Sequence, residues 1–192
     1  MLMAVFCLGA SLIGINAQEK DWANLQRYAQ QNAELPKPDK NEKRVVFMGN
    51  SITEGWVNTH PDFFKSNGYI GRGIGGQTSY QFLVRFREDV INLSPALVVI
   101  NAATNDIAEN TGAYHEDRTF GNIVSMVELA KANHIKVILT TTLPAAAFGW
   151  NPAIKDAPQK IASLNARLKA YAQTNKIPFV DYYSSMVSGS NK

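Results

Sequence analysis

Short runs that are apolar throughout, separated by amphipathic stretches, recur along this chain, and that alternation constrains the fold more than any other feature. Val45, Val46 and Phe47 form the heart of the first run, over 44–48; further runs lie at 69–74, 96–101, 136–141 and 178–182. A run that is apolar at consecutive positions predicts a strand covered on both faces, as in a parallel sheet. Between the runs the spacing is helical. The clearest case is 79–93, which places Phe82, Leu83, Phe86, Val90 and Leu93 on one side. Helices are also predicted at 21–35, with Asp21 as N-cap, at 60–66, 119–134 and 158–175. Pro36-Lys37-Pro38-Asp39 ends the first and reads as a linker. Strands that alternate with helices imply a parallel sheet with helices on both faces. In such sheets chemistry gathers in the loops at the carboxyl ends of the strands.

The chain has 192 residues, the size of one domain, and 45% hydrophobic content, enough for a substantial core. Its formal net charge is only +3, without the Lys/Arg clusters that track phosphates, so no nucleic-acid partner is expected. Residues 1–15 are apolar and carry no charged side chain, and Ile15-Asn16-Ala17 resembles a cleavage site before Gln18. Residues 1–17 are therefore expected to be an export signal, with the mature protein periplasmic or secreted. The run is shorter than the ~20 residues of a comfortable membrane span, so no stable insertion is expected after cleavage. Cys7 is the only cysteine and lies inside that segment. Cleavage would leave neither disulfides nor thiolate metal sites.

Three loops draw attention. After the first strand comes Gly49-Asn50-Ser51-Ile52-Thr53-Glu54-Gly55. A serine on a tight turn directly after a buried strand is well placed as a nucleophile. The competing reading is a helix N-cap serine. After the second strand comes Gly71-Arg72-Gly73-Ile74-Gly75-Gly76-Gln77-Thr78-Ser79. It formally matches the dinucleotide pattern G-x-G-x-x-G, but that pattern belongs to the first strand–helix turn, with an acidic residue closing the next strand. Here the next strand closes on Ile100-Asn101-Ala102. After the third strand, Thr104-Asn105-Asp106 could offer carboxamide donors or simply form a turn.

Together and in this order, the three segments resemble the conserved blocks of the SGNH (GDSL-like) hydrolase family, across roughly residues 44–186. Asn50 stands where many members have Asp, and members usually have a Gly near Ala103 or Thr104. The resemblance implies a flavodoxin-like three-layer α/β/α sandwich with a five-stranded parallel sheet. It implies a serine esterase with Ser51 as nucleophile, and an oxyanion hole formed by the backbone N–H of Ser51, the N–H of Gly76 and the side chain of Asn105. It implies no metal or organic cofactor. The domain is expected over 44–192, preceded by an N-terminal helix and linker at 18–43.

The family draws its base from Asp-x-x-His after the last strand, and only ten residues follow Tyr182. Asp181 has Ser184, not His, three positions on, and reads as a structural strand-end residue. His60, His115 and His134 are the only histidines; each reads as structural or solvated, while His60 and His115 lie on the active edge and are not excluded by topology. The chain is therefore expected to stop short of the Asp-x-x-His block and to hydrolyse esters poorly by itself. Removal of acetyl groups from carbohydrate is the expected activity of the family chemistry in an exported protein. Lysophospholipid or thioester hydrolysis, or an inactive binding module on the same scaffold, are the alternatives.

Overall fold

The computed structural model describes residues 21–187; the expected export signal at 1–17 lies outside them. The element order is α1 (Ala29–Glu34), β1 (Val45–Gly49), α2 (Ser51–Thr59), α3 (Pro61–Ser66), β2 (Tyr69–Gly73), α4 (Ser79–Asp89), β3 (Leu97–Ile100), α5 (Thr104–Ile107), α6 (Glu116–Ala132), β4 (Lys136–Thr140), α7 (Ala157–Thr174), β5 (Phe179–Val180) and α8 (Tyr182–Met186). The five strands form one parallel sheet in the order β2-β1-β3-β4-β5. The expected α/β architecture is thus present.

The register aligns Met48 with Ile100 and Ile100 with Leu139. Their side chains, with Val46, Val98 and Val137, share one buried core with Phe82 and Phe86 of α4, Ile123 and Met126 of α6, and Ile161 and Leu164 of α7. Burying each such side chain stabilises the fold by roughly 1.5–3 kcal/mol. Strand residues of the opposite parity face the other way. Phe47 and Val99 line an apolar groove of about 300 Å³ with Ile52, Trp56, Tyr182 and Met186. The rings of Phe47, Trp56, Phe63, Phe64 and Tyr69 pack beside it at centroid separations of 5.3 to 5.6 Å.

Three expected elements differ. The strand expected over 178–182 is only Phe179–Val180, because Asp181 caps α8 and Tyr182 already belongs to that helix. The single helix expected at 21–35 is a 3₁₀ turn (Leu25–Arg27) followed by the short α1. Asn24 adopts a left-handed conformation (φ 54°), which prevents one continuous helix. The N-cap of that turn is Asn24 and not Asp21, whose carboxylate instead accepts from the N–H groups of Leu25 and Gln26 from further upstream. The helix expected over 79–93 ends at Asp89, and a separate 3₁₀ turn covers Ile91–Leu93. Sequence periodicity did not resolve α2, α5 or α8, whose extents are set by the loops that they complete.

A buried charge fastens the sheet's carboxyl edge. Arg85 is fully buried in α4 and pairs with Asp89 at 2.8 Å. It also donates to the Gly49 carbonyl at 2.9 Å and to Gln77 Oε1 at 2.6 Å. Burial lowers its pKa from the ordinary guanidinium value, and the charge of Asp89 opposes that shift. Removing one member of a buried pair leaves the other charge uncompensated. Arg85→Ala is therefore expected to cost ~3–5 kcal/mol in urea unfolding, and Arg85→Met combined with Asp89→Leu to recover most of it. Equal stability of Arg85→Ala and the parent would contradict this account.

Candidate active site

The carboxyl ends of β1, β2 and β3 meet where the strand order reverses around β1, the position at which open α/β sheets bind ligands. Ser51 is the first residue of α2, directly after β1 and Asn50. The cap is Asn50, whose side-chain oxygen accepts from the Ile52 N–H at 3.0 Å. This overturns the N-cap reading of Ser51. Its hydroxyl is exposed and has no hydrogen-bond partner among the described residues, and its N–H is one of the orphan donors of a helix's first turn.

Helix α2 reaches this position because β2 ends in glycine. A Cβ on Gly73 would lie 2.3 Å from Glu54 N and 2.6 Å from Asn50 O, so any side chain there would push away the first turn of α2. The chain then continues into the Gly75–Gly76 loop. A Cβ on Gly75 would be 3.8 Å from Ser51 Cβ, which places the loop against the serine. Gly76 adopts φ +77°, a conformation that favours glycine, and its N–H has no acceptor among the described residues.

Four contacts hold the loop. Glu54, one turn beyond Ser51, accepts from the Gly75 N–H at 2.9 Å and pairs with Arg27 at 3.1 Å. The bond to Glu54 raises the Arg27 pKa. Asn110 Nδ2 donates to the Gly76 carbonyl at 2.9 Å. Asn105 Nδ2 donates to the Gln77 carbonyl at 2.9 Å, and Gln77 Nε2 donates to the Ala23 carbonyl at 2.6 Å. Asn105 is buried, and its amide has a second N–H. Ser51, Gly76 and Asn105 are thus gathered around one loop.

Asp106 secures the third segment. Its carboxylate accepts from the Ser79 N–H, from the Ser79 hydroxyl and from the Thr119 hydroxyl. Burial raises its pKa, and those donors oppose the rise. Ala103, where the family usually places a glycine nearby, is buried at φ 83°. A left-handed alanine costs roughly 1–2 kcal/mol, and the tight turn into α5 requires that conformation.

The three histidines lie elsewhere. His60 is at the far end of α2 from Ser51, with Nδ1 2.9 Å from Thr59 Oγ1. His115 lines a cavity with Tyr80, Tyr114 and Arg118. His134 lies beside Lys136 and Pro178, at the opposite end of the sheet. Asp181 caps α8, and its bonds to the Ser184 N–H and hydroxyl lower its pKa. Among the described residues, no group of three or more His, Cys, Asp or Glu side chains is arranged to hold a metal ion. No helix among them is long and apolar enough to cross a membrane.

Sequence reasoning missed Arg27, Glu54, Arg85 and Asn110. For Arg85 a signal existed: with Phe82, Phe86 and Asp89 it falls at i, i+3, i+4 and i+7 spacing, which places a charge in the apolar stripe of α4.

Known proteins agree with this architecture. A chain from Bacteroides fragilis NCTC 9343, classed as an acylhydrolase, is 99% identical with a TM-score of 0.90, over 91% of this chain and 84% of that one. A GDSL-like lipase from Bacteroides thetaiotaomicron VPI-5482 is 78% identical with a TM-score of 0.87, over 88% and 83%. The Bacillus subtilis lipoprotein YqeF is 32% identical over 117 residues, 52% of this chain; the match spans about half of that relative, 48% of its length. The family model for GDSL-like lipases and acylhydrolases matches residues 47–192, and the chain belongs to that family.

Proposed function

We propose that the protein is a serine ester hydrolase that removes acyl groups, acetyl foremost, from carbohydrate, with Ser51 as nucleophile. The observation that carries this reading is the exposed Ser51 hydroxyl, free of partners, at the start of α2 and against the Gly75–Gly76 loop. In the reaction, Ser51 Oγ attacks the ester carbonyl carbon while its proton passes to a base. The negative oxygen then meets the Ser51 N–H, the Gly76 N–H and the free Asn105 Nδ2–H. The start of α2 adds a favourable dipole. Collapse breaks the bond to the sugar oxygen, which leaves with a proton, and water releases the acyl group from Ser51. Each lost oxyanion donor typically costs ~2.7–4 kcal/mol of transition-state stabilisation.

An exported location for the protein fits the uncharged apolar residues 1–15 and the similarity to a lipoprotein. A second reading, hydrolysis of longer acyl esters, is favoured by one feature. Ile52, the neighbour of Ser51, lines the apolar groove, which could take an alkyl chain.

One experiment tests both readings. Ser51→Ala is expected to abolish fluorophosphonate labelling and turnover of p-nitrophenyl acetate; labelling that persists would remove the nucleophile. In the parent, faster cleavage of the acetate than of the octanoate supports the deacetylase, and the reverse order supports the second reading.

The reading also requires a base at Ser51, and none of the three histidines hydrogen-bonds to it. A chain extended to include Asp-x-x-His is expected to turn over p-nitrophenyl acetate roughly 10²–10⁴-fold faster than the 192-residue chain. Equal rates would show that the base is already present.

Glu54 acts through the loop and is a positioning residue. In Glu54→Ala the Gly75 N–H loses its acceptor and the aim of the Gly76 N–H loosens. The expected result is a fall in kcat of ~10-fold or more with KM little changed, partly restored in Glu54→Gln. A rise in KM alone would refute this role.

A further inference from the structure

Trp150 is the most exposed large hydrophobic side chain among the described residues, at 61%. It is nonetheless held. Its indole N–H donates to Asn110 Oδ1 at 2.9 Å, and its ring packs on buried Phe148 at a centroid separation of 5.3 Å. Asn110 in turn donates to the Gly76 carbonyl at 2.9 Å. An exposed indole is therefore fixed, through one carboxamide, to the loop that offers the proposed oxyanion donor.

The surroundings of the indole decide what would bind it. The indole does not line the apolar groove, which lies beside Ile52 and Trp56. Besides Phe148, the groups at its edge are polar: exposed Asn110 accepts its N–H, and Asn151 follows it in the chain. An alkyl chain gains most from enclosure, which an open ring does not provide. A sugar has one apolar C–H face and a rim of hydroxyls. Such a ring matches a flat aromatic surface bordered by hydrogen-bonding groups, and tryptophan offers large rigid contact area at low entropic cost.

The geometry points to Trp150 as the platform on which the sugar ring of the ester substrate stacks, an inference that rests on the carbohydrate esterase reading above. Because Asn110 links the platform to Gly76, a ring seated on Trp150 is registered against the loop beside Ser51.

The test separates binding from turnover. Partially acetylated xylotetraose and a peracetylated methyl glucoside are titrated calorimetrically into Ser51→Ala, and into the same variant carrying Trp150→Ala or Trp150→Phe. At least one probe is expected to bind Ser51→Ala. Trp150→Ala should weaken that binding about tenfold, and Trp150→Phe should weaken it less. In the catalytically competent protein, Trp150→Ala should lower the ratio of kcat/KM for the sugar acetate over ethyl acetate by a similar factor. Unchanged affinity in Trp150→Ala, no binding of either probe, or equal losses on sugar acetate and ethyl acetate would each overturn the platform. Turnover that survives Ser51→Ala would instead overturn the esterase reading, and the titrations would still judge Trp150.

Discussion

The guanidinium of Arg85 holds together the two loops on which the rest of the site depends. It bonds at once to the carbonyl of Gly49, at the end of β1, and to Gln77, just past the Gly75–Gly76 loop. Asp89 supplies the compensating charge within the same helix. Asn32 extends the network: it donates to Asp89 and accepts from Arg72 on β2. A charge withdrawn from water this completely is tolerable only when it is paired and hydrogen-bonded, and each of the three guanidinium nitrogens of Arg85 has an acceptor. The requirement works in both directions. The acceptors must stay in place to satisfy Arg85, and so the first two loops keep a fixed separation. The third loop joins through Asn105 to the Gln77 carbonyl and through Asp106 to Ser79.

The sheet was legible in the sequence because a strand buried on both faces must be apolar at consecutive positions. Val45 to Phe47 and Leu97 to Ile100 satisfy that condition without ambiguity. The proposal of Ser51, Gly76 and Asn105 rests on block order along the chain, which can be read without knowledge of the fold. The contacts between blocks were not legible. Glu54 and Arg27 are 27 positions apart, and nothing local in either segment announces the other. Asn24 looked like an ordinary helix residue, and its left-handed turn accompanies a tertiary contact, the buried Tyr28 with its hydroxyl on the Gly73 carbonyl. Ser51 was ambiguous between cap and nucleophile. The cap reading falls one residue earlier, since Asn50 takes the capping role and leaves the serine hydroxyl free.

The two faces of the sheet differ in kind. The side packed by α4, α6 and α7 is a continuous apolar core, whereas the side bearing α2 holds an apolar groove lined by Phe47 and Val99. Helix α2 has both duties: its first residue is the proposed nucleophile, and its next turn, Ile52 to Trp56, shapes the groove.

Residues 22–28 lie ahead of the segment that matches the family, yet they grip the second loop at several points. The Trp22 and Ala23 carbonyls accept from Gln81 and Gln77, Arg27 holds Glu54, and Tyr28 bonds to Gly73. A boundary drawn at the first strand would retain all five strands while releasing the clamp on the glycine turn. The candidate site is thus built from more than the hydrophobic core, and the amino-terminal arm at residues 22–28 supports it as much as the strands do.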